Sequence, residues 1–366
     1  MSHSPTAAAA PERGALGHAA DGVSISVIMP VYNGGEVLPR SLPPLVDMLR
    51  AGEIAEIIVV DDGSTDASAE IARGHGVRLL HSGGRLGPGG ARNVAAPSAI
   101  GEVLWFVDAD VVVHEDAARV LRDAFSLTAA AAIFGSYDDH PPAHNFLSQY
   151  KNLVHRYYHR REAGDVETFW AGCGAVRKES FLAVDGFDAA HYPYPSIEDI
   201  ELGWRLRQCG LSIVLLPELQ GTHLKVWRLV NLVHTDVFRR ALPWSRLIHS
   251  HAALADTLNI GAGERINAGL ALAALLSLAG ATARLVPWWA PVAFAAAIAA
   301  GNRELFVFFY RARGAIFAMR AVLFHQVYYL YSAATFAWCW LERCWQSLRS
   351  RSGATARESG ASDQRR

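Results

Sequence analysis

Short runs of consecutive apolar residues alternate with amphipathic segments over the first 225 residues of the chain. Apolar runs without polar alternation are typical of strands buried on both faces of a parallel sheet. The segments between them carry apolar residues at helical spacing, so we expect strands and helices to alternate as in βαβ units. The predicted strands are residues 24–29, 56–60, 77–80, 103–107, 130–134 and 212–215.

The predicted strand 103–107 is followed at once by two carboxylates, Asp108 and Asp110. Residues i and i+2 of a strand point to the same side, so both carboxylates can converge on one point. Ligands of open α/β sheets bind at the carboxyl ends of such strands. A divalent cation with a phosphate-bearing ligand is one interpretation, and an Asp-rich turn is the other.

Composition narrows the class of protein. The net charge of −1 gives no basic field for nucleic acid, so we expect no nucleic-acid partner. Four cysteines without C-x-x-C spacing argue against a disulfide framework or a zinc site and are typical of a reducing compartment.

A glycine-rich segment, residues 83–93, precedes a predicted helix. Glycines let backbone N–H groups approach a phosphate closely, and Arg92 can supply positive charge. A flexible surface loop is the alternative, since the spacing fits neither a P-loop nor a dinucleotide fingerprint.

Four motifs, taken together in this order and spacing, resemble those of family-2 glycosyltransferases, which have the GT-A fold. They are VIMPVYN at 27–33, VVDDGSTD at 59–66, GARN at 90–93 and FVDAD at 106–110. The resemblance covers roughly residues 24–225 and implies a single nucleotide-binding α/β domain with a mostly parallel twisted sheet. It implies a nucleotide-sugar donor and Mg²⁺ or Mn²⁺ as cofactor.

The resemblance also implies roles for individual residues. The nucleotide-sugar donor is expected to contact Pro30, Tyr32, Asn33, Glu36, Asp61, Asp62, Arg92, Asp108 and Gly172. Of the aspartate pair, Asp61 is expected to contact the base. The expected metal ligands are Asp108, Asp110 and His223, with Asp110 binding directly and Asp108 acting through the ribose or a water.

Three of these assignments have structural alternatives. The resemblance makes Asp199 the base that deprotonates the acceptor hydroxyl, with Glu198 in support. Acidic residues also favour helix N-termini for dipole reasons alone. A lone histidine such as His223 is often structural, and Gly172 also fits an ordinary glycine-rich strand. The Q-x-x-R-W motif of processive synthases is missing, because Gln220 is out of register and no arginine precedes Trp227.

The last third of the chain predicts a membrane region. Residues 226–241 have apolar positions at helical spacing and basic residues elsewhere, which indicates an amphipathic helix at an anionic membrane surface or on the soluble domain. Residues 266–283, 285–301 and 321–341 contain no Asp, Glu, Lys or Arg, and about 20 apolar residues span a bilayer. An Ala-rich soluble helical domain is the alternative.

The arginines after the second apolar run place that loop in the cytoplasm by the positive-inside rule. Three full spans would send the arginine-bearing tail outside against the same rule, so two or three spans remain open. We expect an integral membrane protein of the inner or plasma membrane with a cytoplasmic catalytic domain.

The sequence thus predicts five regions: a disordered lead (1–22), a GT-A domain (23–225), juxtamembrane helices (226–262), transmembrane helices (263–345) and a disordered tail (346–366). The expected function is inverting transfer of a sugar to a lipid-linked or saccharide acceptor at the membrane lipid. Transfer to a polyprenyl phosphate and a non-catalytic nucleotide-binding scaffold are the alternatives.

Overall fold

The computed structural model describes residues 22–250 and 262–363. The predicted lead therefore lies outside the described residues except for Gly22. The strands are β1 Ile25–Val31, β2 Glu56–Asp61, β3 Arg78–His81, β4 Val103–Val107, β5 Val111–Val113, β6 Ala132–Tyr137, β7 Gly164–Asp165, β8 Cys173–Arg177 and β9 Ile213–His223. The α-helices of the sheet domain are α1 Leu38–Arg50, α2 Ser68–Gly74, α3 Gly87–Ala95, α4 Ala117–Leu127, α5 Phe146–Arg161, α6 Lys178–Ala183 and α7 Glu198–Gln208.

These strands form one mixed sheet in the order β3-β2-β1-β4-β8-β6-β9-β5, with β7 pairing to β9. Strands β1 to β4 pair in parallel, whereas β8 runs antiparallel to both β4 and β6. Every residue of β1 and of β4 is buried. The expected α/β domain followed by a helical region is therefore confirmed.

Side chains of alternate strand residues enter two different cores, because successive Cβ atoms of a strand point to opposite faces. Val27 and Met29 of β1 join the core that contains α1 and α4. Ile28 of the same strand joins the core that contains α3, α6 and α7. Helices therefore cover both faces of the sheet, and ligand access is left at the carboxyl ends of its parallel strands.

The antiparallel pairing of β5 and β9 at one edge of the sheet determines the position of His223. Strand β9 is much longer than the predicted strand 212–215 and ends at His223. The β5–β9 register pairs Val111 with His223. A residue distant in sequence is thereby brought beside Asp110, which directly precedes β5.

The remaining helices follow β9. They are α8 Leu229–His234, a π-helix Thr235–Ala241, α9 Leu242–Ser250, α10 Ala262–Thr282, α11 Ala290–Gly301 and α12 Arg303–Asp363, which has a break at Gly314. The expected single amphipathic helix over 226–241 is instead a loop, a short α-helix and a π-helix. The structure continues α12 to Asp363, where we expected a disordered tail, and no proline interrupts that segment.

Within the described residues, one helix, Gly263–Thr282, is long and apolar enough to cross a membrane. A second span results only if α11 and α12, which are bent by 78° relative to each other, count as one. The C-terminal helices also contact the sheet domain, because the Tyr158 hydroxyl donates to Glu264 at 2.8 Å.

Strands β6 and β9 approach closely at Gly135. A Cβ atom there would lie 1.9 Å from the Leu219 carbonyl oxygen, which is backbone and has no room to move. We expect Gly135→Ala to destabilise the protein by about 3 kcal/mol or more, because overpacking forces a backbone shift. Thermal unfolding of the detergent-purified variant measures this effect. Gly74→Ala, where nothing lies within 4 Å, is the matched control. An unchanged melting temperature in Gly135→Ala would contradict the β6–β9 packing.

Candidate functional site

A cavity of about 770 Å³ opens at the carboxyl ends of the parallel strands. It brings together residues that are far apart in sequence. The predicted site residues that line it are Pro30, Tyr32, Asn33, Glu36, Asp62, Arg92, Asp108, Asp110, Gly172, Glu198, Asp199 and His223. Asp61 is the one predicted residue that is absent from this lining.

The guanidinium of Arg92 is buried at the centre of the site. It donates to Asp108 at 2.5 Å and lies 3.8 Å from the Glu198 carboxylate. The rings of Phe106 and Phe187 lie within 5.8 and 5.3 Å of it. Its Nε and Nη1 atoms are buried without a hydrogen-bond partner. Buried donors are normally paired, so these two atoms indicate a missing acceptor such as a phosphate oxygen.

Asp110 and His223 form the second element of the site, with the carboxylate oxygen 3.5 Å from Nε2 of the imidazole. Tyr137 stacks on the His223 ring at a centroid distance of 4.3 Å and fixes its plane. Burial alone would raise the pKa of Asp110, but the charge of His223 and its hydrogen bond hold that pKa below its ordinary value. Asp110 is therefore ionised at neutral pH.

The two carboxylates of this aspartate pair differ in their surroundings. Burial and the neighbouring charges of Asp110 and Asp199 raise the pKa of Asp108, although Arg92 opposes the rise. Asp108 is thus held by Arg92, whereas Asp110 faces His223. The expectation that Asp110 is the more direct metal ligand stays a prediction.

Glu198 and Asp199 begin α7 and face the same cavity. Burial, followed by repulsion from Asp199, raises the pKa of Glu198 to about 7. Burial also raises the pKa of Asp199, and the positive charges of Arg92 and Arg240 oppose that rise. The Asp199 carboxylate accepts hydrogen bonds from the backbone N–H groups of Ala171 and Ile200, which fix its orientation.

Of the two aspartates expected to contact the donor, Asp62 lines the cavity and Asp61 does not. The Asp61 carboxylate accepts from the Ser64 N–H and contacts His81 at 3.2 Å, away from the cavity. The Asp62 carboxylate accepts from the backbone N–H groups of Leu86 and Gly87 at 2.9 Å. It therefore occupies N–H groups that we expected the glycine-rich segment to offer to a phosphate.

Gly172 lies under the cavity and is required there by packing. A Cβ atom at this position would be 2.3 Å from the indole ring of Trp170, and the Gly172 carbonyl accepts from the Asp108 N–H at 3.1 Å. Asn33 adopts a left-handed backbone with φ of 50° and joins the first two loops, since its side-chain oxygen accepts from the Thr65 N–H.

Several cavity residues were missed from the sequence as members of this site. They are Tyr137, Lys151, His155, Trp170, Lys225, Arg239, Arg240 and Tyr328. Lys151 and His155 come from α5, and Arg239 and Arg240 come from the π-helix, a segment that the sequence presented only as part of an amphipathic helix. Arg156 of α5 is buried and donates to the Tyr137 carbonyl.

The donor set fits a divalent cation in chemistry, although no three His, Cys, Asp or Glu side chains within residues 22–250 and 262–363 form a closed metal cluster. Two neighbouring ligands of an octahedral Mg²⁺ lie about 3 Å apart, close to the Asp110–His223 separation. Such sites usually keep several waters and use substrate phosphates, so few protein ligands are needed.

Residues 26–184 match the profile described as glycosyl transferase family 2. Residues 26–184, which supply much of the cavity lining, therefore belong to glycosyltransferase family 2. The chain is 34% identical over 118 residues to the glycosyltransferase GlyG of Streptococcus pneumoniae, covering 31% of this chain and 38% of that protein. It is 27% identical over 238 residues to the N-acetylglucosaminyl-diphospho-decaprenol L-rhamnosyltransferase of Mycobacterium tuberculosis, covering 55% and 76%. The chain thus spans well under two thirds of the length of GlyG.

The family-2 domain has a solved structural neighbour over most of its length. The mannosyltransferase PcManGT of Pyrobaculum calidifontis, in complex with GDP-Man and Mn²⁺, superposes with a TM-score of 0.52 at 19% identity, covering 86% of this chain and 87% of that chain. This similarity shows the fold alone. The predicted family and the GT-A fold are confirmed, whereas the roles of individual site residues remain predictions.

Glu198 allows a stability test of the site electrostatics. Its folded-state pKa of about 7 lies above the ordinary value of about 4.3, so the folded protein loses stability as pH rises from 5 through 7. Glu198→Gln removes this cost. We expect the variant to be more stable than wild type by about 1–3 kcal/mol at pH 8, with a smaller gap at pH 5.

Thermal unfolding at both pH values, in EDTA to remove metal, measures the gap. Glu218→Gln changes the same kind of side chain at an exposed strand position and is the control. A gap that stays constant or narrows between pH 5 and pH 8 would contradict the placement of Glu198 beside Asp199.

Proposed function

We propose that this protein is a metal-dependent, inverting glycosyltransferase that moves a sugar from a nucleotide-sugar donor to an acceptor hydroxyl at a membrane. One observation carries the proposal: a cation-binding pair, an unsatisfied guanidinium and an oriented carboxylate all line a single cavity. These are Asp110 with His223, Arg92, and Asp199.

The donor is assigned to the part of the cavity nearest β1 and β4. Pro30, Tyr32, Asn33 and Glu36 contact the nucleoside, and Asp62 is the carboxylate of the Asp61–Asp62 pair that lines this wall. The unpaired Nε and Nη1 atoms of Arg92 bind diphosphate oxygens. Support comes from PcManGT, which shares the fold and was solved with a nucleotide sugar.

Asp110, His223 and Asp108 are the residues that hold Mg²⁺ or Mn²⁺. The cation supplies positive charge against the negative charge that develops on the departing nucleoside diphosphate. PcManGT was solved with Mn²⁺, which supports a divalent ion in this fold.

Asp199 acts as the general base. Its carboxylate takes the proton from the acceptor hydroxyl as the hydroxyl oxygen forms a bond to the anomeric carbon. The bond between that carbon and the diphosphate oxygen breaks, and its electron pair leaves with the nucleoside diphosphate. Attack opposite the leaving group inverts the anomeric configuration. Hydrogen bonds from the backbone N–H groups of Ala171 and Ile200 hold the Asp199 carboxylate in a fixed orientation.

The acceptor is assigned to a membrane surface because of the C-terminal helices. Helix α10 is apolar enough to span a bilayer, and Leu285, Trp288 and Trp289 are exposed in the turn that follows it. Aromatic residues favour membrane–water interfaces. We therefore place the protein in the inner or plasma membrane, with the family-2 domain in the cytoplasm.

The test uses the full chain in detergent, a panel of UDP-, GDP- and dTDP-sugars, and total membrane lipid as the acceptor source. We expect release of one nucleotide that requires Mg²⁺ or Mn²⁺ and stops in EDTA. Asp110→Asn should lower the rate by about 100-fold or more, because one ligand of the charge-stabilising ion is lost. The exposed Asp123→Asn variant is the control.

The stereochemistry of the isolated product, read by NMR, checks inversion. Nucleotide binding without release for any donor would instead favour a non-catalytic scaffold. Release at wild-type rate in EDTA and in Asp110→Asn would overturn metal dependence.

A further inference from the structure

The cavity continues past Asp199 to a wall that the donor assignment leaves unused. This wall is built by α5, by the loop after β9 and by the π-helix. It carries Lys151, Lys225, Arg239 and Arg240, four cations in one cavity.

Three of these cations lack a carboxylate partner. Within the described part of the chain, no Asp or Glu lies within ion-pair distance of Lys225, Arg239 or Arg240, whereas Lys151 pairs with Asp236 at 2.6 Å. Lys225 lies over the Trp227 ring and Arg239 over the Tyr194 ring. Aromatic faces orient these side chains without neutralising their charge.

The charge of Arg240 acts on the catalytic end of the cavity. Burial raises the pKa of Asp199 and the pKa of Tyr137. The positive charge of Arg240 lowers both pKa values and so opposes the effect of burial. Burial lowers the pKa of Lys151, and the like charges of Arg240 and Lys225 lower it further. Arg240 and Lys225 both line this cavity.

Hydrogen bonds hold this segment in a fixed relation to the catalytic helix. The Ser196 hydroxyl, just before α7, donates to the Arg239 carbonyl at 2.9 Å. Asp236 accepts from Lys151 of α5 and from the Tyr331 hydroxyl of α12 at 2.8 Å. A π-helix is rare and often marks a functional site, and here it carries Arg239 and Arg240.

The same segment exposes apolar side chains beside its arginines. Leu229, Val230 and Phe238 are all exposed. Apolar side chains interleaved with cations are typical of a segment at a membrane interface. A ligand with an anionic head and an apolar tail matches both features.

We propose that Arg239 and Arg240, with Lys225, bind a phosphate group carried by the acceptor. This inference rests on the proposed transferase function and names the chemical class of its acceptor. One guanidinium can donate two parallel hydrogen bonds to the oxygens of a phosphate group. Arginine side chains therefore bind phosphate strongly and in a fixed orientation. The phosphate belongs either to a membrane lipid or to a soluble phosphorylated acceptor.

Binding to the full-length protein in detergent separates these cases with three probes: farnesyl phosphate, farnesol and inorganic phosphate. We expect wild type to bind farnesyl phosphate at least about tenfold more tightly than farnesol. If farnesyl phosphate binds far more tightly than inorganic phosphate, the phosphate group belongs to a membrane lipid. If farnesyl phosphate and inorganic phosphate bind with equal affinity, the phosphate group belongs to a soluble acceptor.

The double variant Arg239→Gln/Arg240→Gln should lose about tenfold or more in farnesyl phosphate affinity and keep its affinity for the donor nucleotide with Mn²⁺. Arg246→Gln, which removes a juxtamembrane arginine paired with Glu342 outside the cavity, is the matched control. Arg240→Lys keeps the charge but not the paired geometry, so it should retain part of the affinity. Melting temperatures verify folding.

Equal binding of farnesol and farnesyl phosphate by wild type, or unchanged affinity in the double variant, overturns the inference. So does a loss confined to donor affinity, which would assign these arginines to the donor diphosphate. Failure of the transferase function is recognised separately, as the absence of metal-dependent nucleotide release in wild type.

Discussion

The buried guanidinium of Arg92 is the constraint on which the site depends. It joins Asp108, at the end of the central strand, to Glu198, at the start of the helix that carries Asp199. A buried cation is costly unless it is paired, so these two elements must remain in register for Arg92 to be accommodated. The Nε and Nη1 atoms of the same guanidinium have no hydrogen-bond partner, so they can donate to the oxygens of a bound phosphate. Arg92 therefore contacts both Asp108, which belongs to the proposed metal site, and Glu198, which is next to the proposed base Asp199.

The sheet explains why these groups converge. Parallel strands deliver their carboxyl ends to one edge, and antiparallel β9 returns along β5 to place His223 at the same edge. The juxtamembrane segment then covers the far wall of the cavity, anchored by the Lys151–Asp236 pair. The proposed donor site thus lies on the sheet, whereas the proposed acceptor wall lies where the domain meets its C-terminal helices. This division is the basis of our proposal that the acceptor is held at a membrane.

The parts predicted correctly from the sequence are those set by local pattern. Strand β4 and its two carboxylates follow from a continuous apolar run that ends abruptly. That Asp61 contacts the base stays a prediction. Asp61 and Asp62 have different surroundings because adjacent residues of an extended chain point to opposite sides, and the local sequence does not show which side faces the cavity. Arg240 was missed because its position depends on a π-helix and on the long-range pairing of Asp236, in the same π-helix, with Lys151. Neither feature leaves a local signal in the sequence. The glycine-rich segment was expected to offer its backbone N–H groups to a phosphate. Two of them, those of Leu86 and Gly87, donate instead to Asp62, which comes from another loop and is not visible in the local pattern.

The most direct test of this account compares donor binding and sugar transfer in Asp199→Asn. Asparagine keeps the size of the side chain and its acceptor oxygen but cannot take a proton. We predict that affinity for the nucleotide sugar with Mn²⁺ stays near that of wild type while transfer to the membrane acceptor falls by about 100- to 10,000-fold. Transfer at the wild-type rate with unchanged donor affinity would contradict Asp199 as the base and, with it, the assignment of the catalytic end of the cavity.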